Sequence, residues 1–196
     1  MMLISNNCLS AFCYHFNHIQ FNNPFIWTRI FLPDYLKLLQ SFDKIDFKSI
    51  KIWPDFIHGT PPTVKINIGD ICIHFGHHHW STDETPTKKG YNDIYYRHIY
   101  GLVYSNWFKR VSRMPNERPC FLLWQDSEMV EQQCIERFFE IPNIKIYMIL
   151  SDNNIYKNVQ SRQTDSIMVT FNEIKPCGEV YDTHWPKIQE FFGLTI

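Results

Sequence analysis

Leu3-Ile4-Ser5-Asn6-Asn7-Cys8 begins as a short apolar strand and passes without a linker into polar residues that suit a helix start. The spacing beyond it predicts a first helix over 8–19, frayed at its end by the weak helix formers Asn17 and His18. A strand feeding directly into a helix is the unit from which α/β domains are assembled.

The rest of the chain repeats that alternation. Pro24 disfavours helix at Asn23, so 21–25 is a loop. A second helix opens at 33–39, with Pro33 in its first turn, and 47–53 alternates as a strand. Val64-Lys65-Ile66-Asn67-Ile68 alternates apolar and polar, Gly69-Asp70 turns the chain, and Ile71-Cys72-Ile73-His74-Phe75 returns as the clearest hairpin. On the return strand Ile71, Ile73 and Phe75 share one face while Cys72 and His74 share the other. A long helix is expected over 92–113, interrupted at Gly101, then a strand at 121–124 and a helix from Asp126 through Phe139. Strands at 144–150 and 167–171 and a closing helix at 185–192 complete the order. Strands alternating with helices, plus one hairpin, predict a single α/β domain over 1–196, a three-layer α/β/α fold with a mixed sheet.

Composition narrows the function classes. At 196 residues and 23.6 kDa the chain is large enough for a substantial core. A net charge of −1 argues against a general nucleic-acid binder, which carries a concentrated basic excess. No apolar run reaches the length of a membrane span, and Met1-Met2-Leu3-Ile4-Ser5 lacks the basic region of a signal peptide. The expected address is the cytoplasm, with peripheral association with an assembly complex left open. Six cysteines without a C-x-x-C pair fit that address, and a disulfide framework is not expected. The aromatic share of 16% is high, and Trp and Tyr beyond the needs of a core suit stacking on sugars or bases.

Four constellations carry candidate chemistry. Cys8, at the junction of strand and helix, is a candidate nucleophile if helix amides or a base lower its pKa. Ser5, Asn6 and Asn7 beside it are candidates to orient a substrate or donate to an oxyanion, and the alternative is a buried cysteine with asparagine caps. His74, or His77 just beyond its strand, is the candidate base, against a hydrogen-bonded structural histidine. The run His77-His78-His79 with His74 has metal-ligand chemistry, but a consecutive run on a loop rarely converges, and no metal site is expected. Arg110 and Arg113 are three apart on a helix and suit a diphosphate or a carboxylate, while Lys109 fits a cationic helix end. Asp126 follows a strand and is either a binding or orienting residue or an N-cap, and Asp182 with His184 either completes a Cys-His-Asp set or caps the last helix. No Gly-rich phosphate loop is present.

Ile4-Ser5-Asn6-Asn7-Cys8, Asn22-Asn23-Pro24-Phe25, Asp34-Tyr35 to Leu39, Ile73-His74-Phe75-Gly76-His77, and Trp107 with Arg110 and Arg113 occur in that order. In this the chain resembles an uncharacterised bacterial family usually labelled exopolysaccharide biosynthesis protein. It departs from that family at Leu9, where a Trp is usual, and in its extra histidines. A shorter likeness, strand then Asn-Cys, links it to some capsule acetyltransferases. The resemblance implies an α/β/α fold, work on surface polysaccharides, and binding roles for Asn23, Arg110 and Arg113. The expectation is a transferase moving an acyl or glycosyl group from an activated donor, acyl coenzyme A or a nucleotide sugar, to a saccharide acceptor. The alternative is a non-catalytic saccharide-binding or scaffolding subunit.

Overall fold

The computed structural model describes residues 2–55, 63–75, 93–125, 132–151, 159, 161–172 and 177–194. The strands form two four-stranded sheets. One is wholly parallel, in the order β1 (Leu3–Ser5), β6 (Cys120–Trp124), β7 (Ile146–Ser151) and β8 (Ile167–Asn172). The other is antiparallel, in the order β2 (Thr28–Arg29), β5 (Ile71–Phe75), β4 (Thr63–Ile68) and β3 (Lys51–Asp55). The α/β class is as expected, with the two strand directions divided between sheets. Strands joined by a tight turn run antiparallel, whereas those separated by helical crossovers run parallel.

The parallel sheet is covered on both faces, which is why its strands read as unbroken apolar runs. Ile4, Phe121, Leu123, Ile146, Met148 and Leu150 belong to one core cluster. Tyr35, Leu36, Leu38 and Leu39 of α2 (Leu32–Ser41), Ile135 and Phe138 of α4 (Gln132–Phe138), and the inner face of the antiparallel sheet fill that side. The alternate residues Leu3, Leu122, Trp124, Tyr147 and Ile149 belong to the second cluster. There they meet Leu9, Cys13 and Tyr14 of α1 (Leu9–Phe16) and Val180, Trp185, Ile188 and Phe192 of α5 (Cys177–Phe192). The period-2 alternation of each strand thus feeds two cores at once.

Several elements differ from the sequence reading. α3 (Asp93–Val111) runs through Gly101 without a break, since a single helical Gly costs only about 1 kcal/mol. α5 starts well before Trp185 and contains Pro186, so Asp182 and His184 lie inside the helix rather than at its cap. β3 begins at Lys51, because Phe47 packs on Phe25 and Phe42 and its carbonyl accepts from Trp107 Nε1 at 2.8 Å. The two-residue β2 had no pattern of its own. No described helix is long and apolar enough to cross a membrane.

β1 lies at the edge of its sheet, and edge strands need their backbone groups covered. Tyr14 Oη accepts from the Leu3 amide at 3.0 Å and donates to Asn22 Oδ1 at 2.6 Å. Asn23 Nδ2 donates to the Leu3 carbonyl at 3.0 Å, and the Ile30 amide donates to the Asn6 carbonyl at 2.7 Å. The segment 22–30 therefore runs along β1 and closes its free edge. On the inner face Tyr35 Oη sits 2.9 Å from the Ile4 carbonyl and 2.8 Å from that of Leu122. Burial pushes this phenol well above its usual pKa.

Candidate functional site

The carboxyl ends of parallel strands are where α/β sheets gather ligands; β1 ends at Ser5, and Asn6, Asn7 and Cys8 follow it at that edge. Asn6 uses both ends of its amide on one residue of β6: Nδ2 donates to the Trp124 carbonyl at 3.0 Å, and Oδ1 accepts from the Trp124 amide at 2.8 Å. Its side chain thereby prolongs the ladder by one rung. Asn7 Nδ2 donates to the same carbonyl at 3.0 Å. One strand further on, Gln125 Oε1 accepts from the Ser151 amide at the end of β7 at 3.0 Å.

The first amides of α1 are also occupied. Asn7 Oδ1 accepts from the Leu9 amide at 3.1 Å, and Ser5 Oγ accepts from the Ser10 amide at 3.0 Å. Ser5 Oγ further bonds the Asn7 carbonyl. These are the donors a thiolate or bound anion would otherwise use, and the chain's own side chains fill them. Ser5, Asn6 and Asn7 are all buried, and Cys8, at the N-cap with a helical backbone, is half-buried. Asn23 is buried as well, with Oδ1 accepting from the Phe25 amide at 3.0 Å.

His74 belongs to the other sheet. Its neighbours Ile73 and Phe75 enter the core, so its ring faces outward with Cys72, whose Sγ is 3.5 Å from Nε2, and it meets the Phe31 ring edge-on at 4.9 Å. His77 and Asp126 lie outside the described residues. His184 is buried against the parallel sheet, with Nδ1 3.2 Å from Tyr147 Oη and 3.4 Å from Thr170 Oγ1. Its Nε2 has no hydrogen-bond partner among the described residues, and burial lowers its pKa to about 4. Among the described residues no group of three potential ligands converges as a metal site.

Arg110 and Arg113 line a cleft of about 510 Å³ where the end of α1 meets the end of α3. Lys109, His15 and His18 share its wall with Tyr14 and Phe21, and no carboxylate is among the described lining residues. Arg110 Nη1 donates to the Ile26 carbonyl at 3.0 Å, and its guanidinium lies 5.4 Å from the centre of the Phe21 ring. Burial first, and the neighbouring Arg113 second, lower its pKa to about 10. A partly desolvated cation beside a like charge is stabilised by an anion, so the composition and electrostatics of the cleft suit one. The helical spacing of Arg110 and Arg113 was legible in the sequence. His15, His18 and Phe21 were not, because only the tertiary fold brings the end of α1 to the end of α3.

His18 reaches the cleft through an unusual helix ending. The Ile19 amide bonds the Tyr14 carbonyl at 2.9 Å and the His18 amide bonds that of His15 at 3.2 Å, a Schellman pair with His18 at φ +54°. Glycine is the common residue there, since a Cβ is disfavoured in that conformation. Cys8 and the cleft lie at opposite ends of α1, which an eight-residue helix separates by about 12 Å. The fold therefore joins the arginines to His15 and His18 and leaves Cys8 one helix length away.

The chain belongs to the family described as Domain of unknown function (DUF1919), which it matches over residues 1–192. It is similar to an uncharacterised protein of Haemophilus influenzae (strain ATCC 51907 / DSM 11121 / KW20 / Rd), 28% identical over 142 residues. That alignment covers 72% of this chain and 57% of the relative, so the chain matches little more than half the relative's length.

Proposed function

We propose that the protein is a transferase of capsule or exopolysaccharide assembly that holds the phosphates of an activated donor in the cationic cleft. The observation carrying this reading is the cleft itself: Lys109, Arg110, Arg113, His15 and His18 surround one cavity whose described lining has no carboxylate. The resemblance to exopolysaccharide biosynthesis proteins supplies the polysaccharide setting. In the acyl version Cys8 is the nucleophile and the donor is an acyl coenzyme A. Its pantetheine arm separates the phosphates from the reacting thioester, which suits a thiol one helix length from the cleft. The Cys8 sulfur attacks the thioester carbonyl, and coenzyme A leaves as its thiol with the proton that Cys8 gives up. A saccharide hydroxyl then attacks the acyl-cysteine, forming an ester and returning a proton to Cys8. In a nucleotide sugar the reacting carbon is bonded directly to the diphosphate, so the glycosyl version assigns no step to Cys8. Neither version assigns one to His74, which faces outward beside Cys72 and Phe31.

A second reading, a non-catalytic saccharide-binding subunit, is favoured by the engagement of Ser5, Asn6 and Asn7 with backbone groups. A thermal-shift series with acyl coenzymes A and nucleotide sugars, run on the wild type and Cys8→Ala, separates the readings. Stabilisation by acyl coenzyme A, with acyl transfer lost in Cys8→Ala, is the expected result. No stabilisation by any donor would sink the transferase.

A further inference from the structure

A continuous run of aromatic rings crosses the surface beside the cleft. Trp27 meets Phe12 edge-on at 5.4 Å, Phe12 meets Phe16 at 5.6 Å, Phe16 meets Tyr181 of α5 at 5.0 Å, and Tyr181 stacks on Trp185 at 5.7 Å. Trp185 is buried and roots the run in the second core, whereas Phe16 is 49% exposed. Phe12, Trp27 and Tyr181 are half-buried. Core packing accounts for Trp185. Trp27 and Tyr181 also pack against that core with part of their surface, but core packing does not account for Phe16, which stands half-exposed in contact with Phe12 and Tyr181.

The row joins two places already described. Cys8, Phe12 and Phe16 are spaced four apart, and the backbone of Cys8 is helical, so the three share one face of α1. At the other end Phe16 meets the ring of His15, a wall of the cleft, at 5.4 Å. Trp27 has φ +60°, a conformation strained for a bulky side chain. The carbonyl just before it, that of Ile26, is the one Arg110 holds. The guanidinium at the cleft thus also braces the backbone that sets Trp27 against Phe12.

We infer that this strip is the subsite for the saccharide acceptor, whose pyranose rings lie on Phe12, Phe16 and Tyr181 between Cys8 and the cleft. The inference rests on the proposed reading of the cleft as the donor site. Sugar rings present C–H faces that pack on aromatic faces while their hydroxyls stay hydrated. Asn17 Nδ2 donates to the Cys13 carbonyl at 2.6 Å and to Tyr181 Oη at 3.0 Å, which leaves the phenol proton of Tyr181 to meet those hydroxyls at the edge of the strip. Chemistry divides the site: the aromatic rings take the sugar, and the adjoining Lys109, Arg110 and Arg113 take the phosphates.

The test titrates neutral gluco-, galacto- and manno-oligosaccharides into the full chain while following the side-chain resonances of Phe16, Tyr181 and Trp27. Inorganic diphosphate is titrated separately. At least one oligosaccharide is expected to shift these resonances at millimolar concentration. Phe16→Ala and Tyr181→Ala should each weaken that binding about tenfold and leave diphosphate affinity within about twofold. Binding unaffected by both variants, or no shift with any of the three, would overturn the subsite. So would self-association of the chain abolished by Phe16→Ala, which would assign the strip to a second copy. Oligosaccharide binding on the strip without diphosphate binding in the cleft would retain the subsite and remove the donor reading.

Discussion

His18 closes α1 in the same left-handed position that Gly193 fills at the end of α5. At both ends the next amide reaches back five residues, Ile19 to Tyr14 at 2.9 Å and Leu194 to Gln189 at 2.8 Å, and φ is +54° and +67°. Gly193 adopts this conformation without a steric cost, whereas His18 carries a Cβ into it. The strained member of the pair is the one whose side chain lines the cationic cleft.

That contrast predicts a trade between stability and binding. His18→Gly should stabilise the protein by about 1 kcal/mol, because the backbone strain disappears. The same variant should bind anions in the cleft a few-fold more weakly. Urea denaturation checks the first outcome; a lower midpoint for His18→Gly would mean that the histidine ring contributes more packing than its backbone costs.

Asn6 carries the junction of β1 and β6 through its two bonds to Trp124. Asn6→Ala leaves the buried Trp124 amide without that acceptor, at a cost of about 1–3 kcal/mol. Asn6→Asp keeps the acceptor but brings a charge into a buried position, and it should destabilise as well. Equilibrium unfolding at neutral pH reads both. Wild-type stability in Asn6→Ala would show that the junction rests on its apolar contacts alone.

His184 predicts the pH dependence. Its folded pKa of about 4 lies below the ordinary 6.5, so the unfolded chain takes up the proton first as pH falls. Its contribution is fully present above pH 6.5 and is lost as the pH drops toward 4, amounting to as much as ~3 kcal/mol. His184→Gln should flatten the stability profile between pH 7 and pH 5. A profile equally steep in the variant would place the acid sensitivity elsewhere.

The sequence disclosed what local pattern controls. Val64 to Phe75 alternates around Gly69-Asp70, and it forms the hairpin of β4 and β5 in that register, with Ile66 opposite Ile73. The apolar runs of β6 and β7 announced strands covered on both faces. The first half of α5 was hidden by Gly178 and Pro186, which signal breaks locally but are tolerated where the helix packs on the sheet. At the candidate site, the spacing of Arg110 and Arg113 spoke for itself. Asparagine capping of α1 was open there as the alternative to a reactive Cys8, and Asn7 Oδ1 does cap the Leu9 amide. The bond of Ser5 Oγ to the Ser10 amide was not legible, since it depends on how the turn after β1 folds back. The ring contacts between α1 and α5 were equally invisible, because Phe16 and Tyr181 are joined only by the tertiary fold.

The central claim is that the cleft between the ends of α1 and α3 binds a phosphorylated donor. Titrating inorganic diphosphate into the wild type and Arg113→Gln by calorimetry at low salt tests it most directly, because Arg113 is exposed and its loss leaves the fold alone. Saturable binding to the wild type is expected, weakened about tenfold in Arg113→Gln. No binding to the wild type, or equal affinity in the two proteins, would contradict it.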